Sequence, residues 1–106
     1  MNPISTDENL LFLAFCADTC NDIEIISIGN SSIYFTDRID SRRDTIMMGL
    51  HKTDTGRYFF KRYVHSDKTD METLDMFVLK HTHETKKFND MKQAIEAYSS
   101  YRFNIL

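Results

Sequence analysis

Residues 45–64 have the sequence TIMMGLHKTDTGRYFFKRYV, in which two strand-like runs flank a short polar segment. This pattern predicts a β-hairpin, and the turn between the runs decides which side chains share a face. A two-residue loop at Asp54 and Thr55 would need positive φ at both residues, which β-branched Thr55 strongly disfavours. A three-residue loop needs positive φ only at its last residue, where Gly56 stands. We therefore predict a type I turn through Asp54 and Thr55, followed by Gly56 in the left-handed region.

The predicted turn fixes which residues of the two strands lie opposite each other. The pairs that follow are Thr53 with Arg57, Leu50 with Phe60, Met48 with Arg62, and Ile46 with Val64. Apart from Arg62, one face of the hairpin is apolar, and it carries Ile46, Met48, Leu50, Tyr58, Phe60 and Val64. The opposite face carries Met47, Gly49, His51, Arg57, Phe59, Lys61, Tyr63 and His65, most of which are basic or aromatic. A slip of one residue would mix the two sets, so the pattern itself supports this register.

The rest of the chain predicts two terminal helices and further strands around this hairpin. Ser5 and Glu8 form a capping-box pattern, so a helix is expected from about Thr6 to Thr19. Apolar runs predict the other strands at Ile23–Ile28, Ile33–Thr36 and Leu74–His83, and Asn89 or Asp90 caps the last helix. The order α-β-β-β-β-β-α is typical of an α+β fold with a mostly antiparallel sheet of about five strands. Whether the helices cover one face of the sheet or both is left open.

The composition indicates an ordinary globular chain. Of its 106 residues, 42% are hydrophobic and 27% are charged, which predicts a single domain over residues 1–106 with a core of its own. The net charge of −3 does not indicate a general nucleic-acid binder. Residues 1–40 carry seven acids and one base, for −6, whereas residues 41–106 carry nine acids and twelve bases, for +3. This asymmetry would orient a binding partner, although ordinary solvated surface charge also explains it.

The cysteines and the N-terminal region predict a cytoplasmic protein with no membrane partner. Cys16 and Cys20 lie four residues apart in the predicted first helix, a geometry that suits a disulfide badly, so both thiols are expected to be reduced. No basic residue precedes the first apolar run, so a signal peptide is not expected. That run covers residues 10–17, far fewer than the ~20 residues that cross a bilayer.

No group of residues in the sequence predicts catalysis, a metal site or a cofactor. His81 and His83 are two residues apart on a predicted strand, so their rings are expected on one face, where His65 or His51 would join them. Zinc needs three or four ligands at bonding distance, which this spacing alone does not supply. Cys16 stands in no catalytic cysteine signature, and the three glycines are too scattered for a phosphate-binding loop. We therefore expect a protein that is not an enzyme.

The first helix supplies the leading functional expectation, which is binding to another protein. Its apolar residues occur nearly all round the helix, so a single packed face cannot bury them all. Leu11, Phe12 and Phe15 are the predicted contact residues, for a protein partner or a homodimer. The abundance of Ile, Asn, Lys and Asp, with one Pro, is typical of an AT-rich genome. This favours an inhibitor or adaptor that a phage or mobile element encodes and that acts on a host protein.

The alternative expectation is a protein that binds single-stranded nucleic acid. Arg57, Phe59, Lys61 and Tyr63 share the basic and aromatic face of the hairpin. Aromatic rings on a sheet can stack with bases while Lys and Arg contact phosphates. The same rings would be ordinary core residues if a helix covered that face, and this structural interpretation is favoured.

Overall fold

The structure is a computed structural model that describes residues 3–39, 45–65, 79–84 and 87–104. Its elements follow one another as α1 (Thr6–Ala17), β1 (Ile23–Ile28), β2 (Ser32–Asp37), β3 (Thr45–Lys52), β4 (Tyr58–His65), β5 (Leu79–Glu84) and α2 (Met91–Asn104). The strands form an antiparallel sheet in which each strand pairs with its neighbour in sequence, in the order β1-β2-β3-β4-β5. The α+β class with an antiparallel sheet and two helices is confirmed. The first part of the predicted strand Leu74–His83 lies outside the described residues, which resume at Leu79.

The predicted N-terminal caps of the two helices are confirmed. The Ser5 hydroxyl accepts a hydrogen bond from the backbone N–H of Glu8 at 3.2 Å, and the Glu8 carboxylate accepts one from the N–H of Ser5 at 2.9 Å. At α2 the Asp90 carboxylate accepts a hydrogen bond from the N–H of Gln93 at 2.8 Å, so Asp90 caps this helix. Both helices therefore begin where a side chain satisfies N–H groups that the helix leaves open.

The predicted turn of the central hairpin is confirmed. Gly56 has φ of 80°, and the N–H of Thr53 donates a hydrogen bond to the carbonyl of Arg57 at 2.8 Å. The Leu50–Phe60 pair and the Met48–Arg62 pair lie opposite each other as predicted.

The predicted register of the hairpin was wrong on the N-terminal side of Met47. Thr45, not Ile46, lies opposite Val64, because an extra residue in β3 makes a β-bulge between Thr45 and Met47.

Both helices pack on the same face of the sheet. On α1, Phe12 lies against Phe35 of β2, with ring centroids 5.2 Å apart. On α2, Tyr98 stacks on Phe60 of β4 at 4.7 Å and meets the Phe35 ring edge-on at 5.4 Å. The predicted apolar face of the hairpin is therefore core, and its buried members are Met48, Leu50, Tyr58 and Phe60.

A buried ion pair fastens the last turn of α2 to the sheet. The carboxylate of Asp37, at the end of β2, has no exposed surface, and the Arg102 guanidinium donates to it from Nε at 2.7 Å and from Nη2 at 3.2 Å. The Tyr98 hydroxyl donates to the same carboxylate at 2.9 Å. Burial, and then the charge of Asp37, raise the pKa of Tyr98 far above its ordinary value, so this hydroxyl remains a donor. The network holds α2 at a fixed position beside α1.

Candidate functional site

The outward side of α1 is an apolar surface that faces solvent. Phe12 and Cys16 are buried in the core, whereas the residues Leu10, Leu11 and Leu13 are 58%, 44% and 39% exposed. A soluble helix that packs on one sheet normally carries polar residues on its far side. In α1 three leucines are exposed instead, Leu10 and Leu11 on the far side of the helix and Leu13 at its flank, and we call them the outer leucines.

The three predicted contact residues of α1 have different positions in the structure. Leu11 is exposed, as a contact residue must be. Phe12 has no exposed surface, so its prediction as a contact residue was wrong, and it is a core residue. Phe15 is half-buried, with its ring 5.9 Å from Phe12 and 6.3 Å from Tyr98. The sequence missed Leu10 and Leu13 because no polar position in residues 10–17 marks which side of the helix faces water.

A groove runs between α1 and α2 next to the outer leucines. It has a volume of about 270 Å³ and is lined by Leu11, Ala14, Phe15, Asp18, Lys92, Ile95 and Glu96. The lining combines apolar side chains from both helices with charged residues. We call this space the helix groove. It offers a partner an apolar surface bordered by charges.

The charged residues of α1 are all acidic. Its first turn carries Asp7 and Glu8, Asp18 follows its last residue, and the helix contains no basic residue. The Glu8 carboxylate binds the Lys52 ammonium at 3.0 Å. Partial burial of Glu8 opposes its ionisation, but the hydrogen bonds from Ser5 and Lys52 outweigh burial and hold its pKa below the ordinary value of a glutamate. Asp7 and Asp18 are exposed, so they present negative charge to whatever approaches α1.

The edge strand β1 carries a second, smaller apolar surface. Ile26 and Ile28 are 53% and 48% exposed. The register of β1 against β2 shifts between Ile25 and Ser27, which marks a bulge at Ile26. Bulges of this kind discourage pairing of an edge strand with another chain. This edge is therefore a useful control surface for experiments on α1.

The four residues of the alternative prediction lie on or beside the face of the sheet opposite the helices. Phe59, Lys61 and Tyr63 follow one another along that face of β4, and the exposed Arg57 immediately precedes the strand. His51 stacks on Phe59 at 5.2 Å, and its Nε2 lies 2.8 Å from the Tyr63 hydroxyl.

Residues that the prediction did not include also belong to this face. Tyr34 of β2 lies 5.6 Å from His51 and 6.0 Å from Tyr63. We call Tyr34, His51, Phe59 and Tyr63 the aromatic face. Neither described helix covers it, so its rings are not the helix-covered core that the sequence favoured.

Two lysines and one glycine shape the aromatic face. The ammonium groups of Lys61 and Lys87 lie 5.4 Å and 5.9 Å from the centre of the Phe59 ring, within cation–π distance. A Cβ at Gly49 would approach the His51 Nε2 to 2.6 Å and a Tyr63 ring carbon to 2.9 Å. The missing side chain at Gly49 thus makes room for the contact between His51 and Tyr63. The sequence signal for this role was a glycine inside a strand.

The backbone register of β5 places His83 opposite Arg62 and His81 opposite Tyr63, with a bulge between them. The predicted convergence of the histidine rings concerns side chains outside the described part of the chain, so it stays a prediction. Among the described residues, no group of three or more His, Cys, Asp or Glu side chains could hold a metal ion.

The cysteines of the structure are free thiols. Burial, and then the negative charge of Asp37, raise the pKa of Cys16 to about 11. Its thiol is therefore protonated at neutral pH, which is unsuitable for a nucleophile.

No known protein family, no curated protein and no solved structure matches the chain. Neither helix in the described ranges has the length and the apolar content that a membrane crossing requires.

Proposed function

We propose that the protein binds another protein in the cytoplasm through the outer leucines of α1, and that it acts as a non-enzymatic inhibitor or adaptor. The single observation that carries the proposal is the exposure of Leu10, Leu11 and Leu13 on a helix whose other side is already packed in the core. Grouped exposed leucines are costly in water and are typical of a contact surface. The helix groove adjoins them and extends the apolar surface onto α2. An origin in a phage or mobile element is supported by the amino-acid composition alone.

The test compares three immobilised proteins in extracts of the source cell. One is the wild type, one carries Leu10→Ser, Leu11→Ser and Leu13→Ser, and the matched control carries Ile26→Ser and Ile28→Ser on β1. Exposed substitutions typically change the free energy of unfolding by about 0.5 kcal/mol or less each, so all three are expected to fold. The wild type and the control are expected to retain the same discrete partner, and the α1 variant is expected to lose it.

The proposal fails if the α1 variant retains the partner as well as the wild type does, or if the wild type retains none. The mass of the native particle in solution is measured alongside. A dimer that the leucine substitutions convert to a monomer would identify the partner as a second copy of the chain.

We propose binding of single-stranded nucleic acid through the aromatic face as the second candidate function. It is supported by the position of Phe59, Lys61 and Tyr63 on the face opposite the helices, and by the two lysines beside Phe59. Lys61 and Lys87 would meet phosphates, and a base would stack against an aromatic ring. Since His51 already stacks on Phe59 and two lysines lie near the same ring, a nucleic-acid base would compete with these groups for it. This competition ranks the function below protein binding.

The second candidate is tested with a labelled single-stranded oligonucleotide and fluorescence anisotropy. The double variant Phe59→Ala with Lys61→Ala is expected to weaken binding by about tenfold or more, because loss of one stacked base alone is equivalent to about 1–3 kcal/mol. Binding of the wild type is expected to weaken as salt rises. Lys92→Ala, which removes a positive charge from α2, is the control. This variant is expected to bind the oligonucleotide as the wild type does. Equal affinity of the double variant and the wild type would exclude the aromatic face.

A further inference from the structure

One side of α1, part of which lines the helix groove, has a regular order of charged and apolar positions. Asp7, Leu11, Ala14 and Asp18 are spaced at i, i+4, i+7 and i+11, the spacing of residues on one side of an α-helix. The two acids therefore stand at the two ends of a short apolar stripe, about 16 Å apart along the helix axis. Leu11, Ala14 and Asp18 line the groove directly. A partner that follows this stripe meets an acid, an apolar surface and a second acid.

The opposite wall of the groove does not balance this charge. From α2 the groove receives Ile95, the acid Glu96 and the base Lys92. Among the described residues that line the groove, Lys92 is the one base, against the two acids Asp18 and Glu96. With Asp7 at the far end of the stripe, the surface presented to a partner is negative.

We propose that the occupant of the helix groove is an amphipathic α-helix of a partner protein, with an apolar stripe flanked by lysine or arginine at each end. This inference rests on the proposed function, to which it adds the chemistry of the partner. A helix laid along an apolar groove contacts it with residues at i, i+4 and i+7, which matches the spacing of the stripe on α1. Basic residues eleven positions apart on that helix reach Asp7 and Asp18.

The charges of α1 disfavour a second copy of the chain as the occupant. If two α1 helices pack against each other about a two-fold axis, acids of one copy lie near acids of the other in either direction, because α1 has no base. Like charges brought together in this way oppose association. A basic helix gains attraction from the same acids, and long-range attraction also speeds its encounter with the groove.

The test uses two synthetic helical peptides that share one apolar stripe and differ only at its ends. One peptide has lysines eleven residues apart, and the other has glutamates at the same two positions. Their affinities for the full chain are measured by fluorescence anisotropy at low and high salt. The lysine peptide is expected to bind about three- to tenfold more tightly, the range that two exposed ion pairs produce. High salt is expected to reduce this preference.

Asp18→Lys is the deciding variant. The substitution places a base at the C-terminal end of α1, where the helix dipole favours it, so the variant is expected to fold. Its preference for the lysine peptide is expected to disappear or to reverse. Glu24→Lys is the matched control, because it makes the same change of charge at an exposed position of β1, and it is expected to keep the preference of the wild type.

Four outcomes overturn the inference, and they separate it from the proposed function. Equal binding of both peptides, lost on Leu11→Ser, overturns the basic helix but leaves an apolar protein-binding surface. Peptide binding that Leu11→Ser does not change places the site elsewhere. A native dimer that Leu10→Ser and Leu11→Ser convert to a monomer identifies a second copy as the occupant. No binding of either peptide to a monomeric chain overturns the basic helix, and the partner experiment then decides the proposed function alone.

Discussion

Replacing Asp37 with alanine is expected to lower the free energy of unfolding by about 3–5 kcal/mol. The substitution leaves the guanidinium of Arg102, whose side chain is only 10% exposed, without the buried carboxylate that accepts two of its three hydrogen bonds. It also removes the acceptor of the Tyr98 hydroxyl. Burial alone would lower the pKa of Arg102, but its contacts with Asp37 outweigh burial and raise that pKa. The buried cation of the variant therefore has a high energetic cost. Urea unfolding followed by circular dichroism measures the loss.

Two further variants test whether the loss of stability in Asp37→Ala comes from the buried ion pair. Asp22→Ala removes a carboxylate that is 36% exposed and accepts one hydrogen bond from Arg102, so a loss of about 1 kcal/mol or less is expected. The double variant Asp37→Leu with Arg102→Met removes both buried charges and is expected to recover much of the stability that Asp37→Ala loses. A loss below about 1 kcal/mol for Asp37→Ala would contradict the buried ion pair. Such a result would also mean that this ion pair does not hold α2, and with it one wall of the helix groove, in position.

Phe12→Ala is expected to lower the free energy of unfolding by about 3–5 kcal/mol. Phe12 has no exposed surface and its ring lies against Phe35, so truncation leaves a cavity between α1 and the sheet. The neighbouring substitution Leu11→Ala is the control and is expected to change the free energy by about 0.5 kcal/mol or less, because Leu11 is 44% exposed. Urea unfolding of both variants measures the difference.

The comparison of these two neighbours tests how α1 is rotated on the sheet. Equal losses for Phe12→Ala and Leu11→Ala, or a larger loss for Leu11→Ala, would show that a different side of α1 faces the core. The outer leucines would then not form an exposed surface. The protein-binding proposal depends on this orientation.

The parts of the fold that the sequence predicted correctly depend on short-range rules. Gly56 predicted the turn because one position needed positive φ, and Ser5 with Glu8 predicted the start of α1 because the capping box is a local pattern. This turn also determined which residues near it lie on the buried face of the hairpin, including Leu50 and Phe60. Each of these predictions needed only a few neighbouring residues.

The parts that the sequence could not predict depend on contacts between residues far apart in the chain, or on segments in which buried and exposed positions are equally apolar. The bulge between Thr45 and Met47 shifts the register by one residue, and no residue type in β3 marks it. Asp37 and Arg102 are separated by 65 positions, so their pairing follows only from the docking of α2. Within α1, Phe12 and Leu11 are equally apolar, and only the packed structure shows which of them is core.

Photo-crosslinking shows which molecule touches the outward side of α1 inside the cell. A photoreactive phenylalanine derivative is placed at Leu11 in one protein and at Phe59 in another, and each is irradiated in the source cell. We expect a discrete adduct with a protein from position 11 and none with nucleic acid from position 59. An adduct with nucleic acid from position 59, together with none from position 11, would contradict the protein-binding proposal.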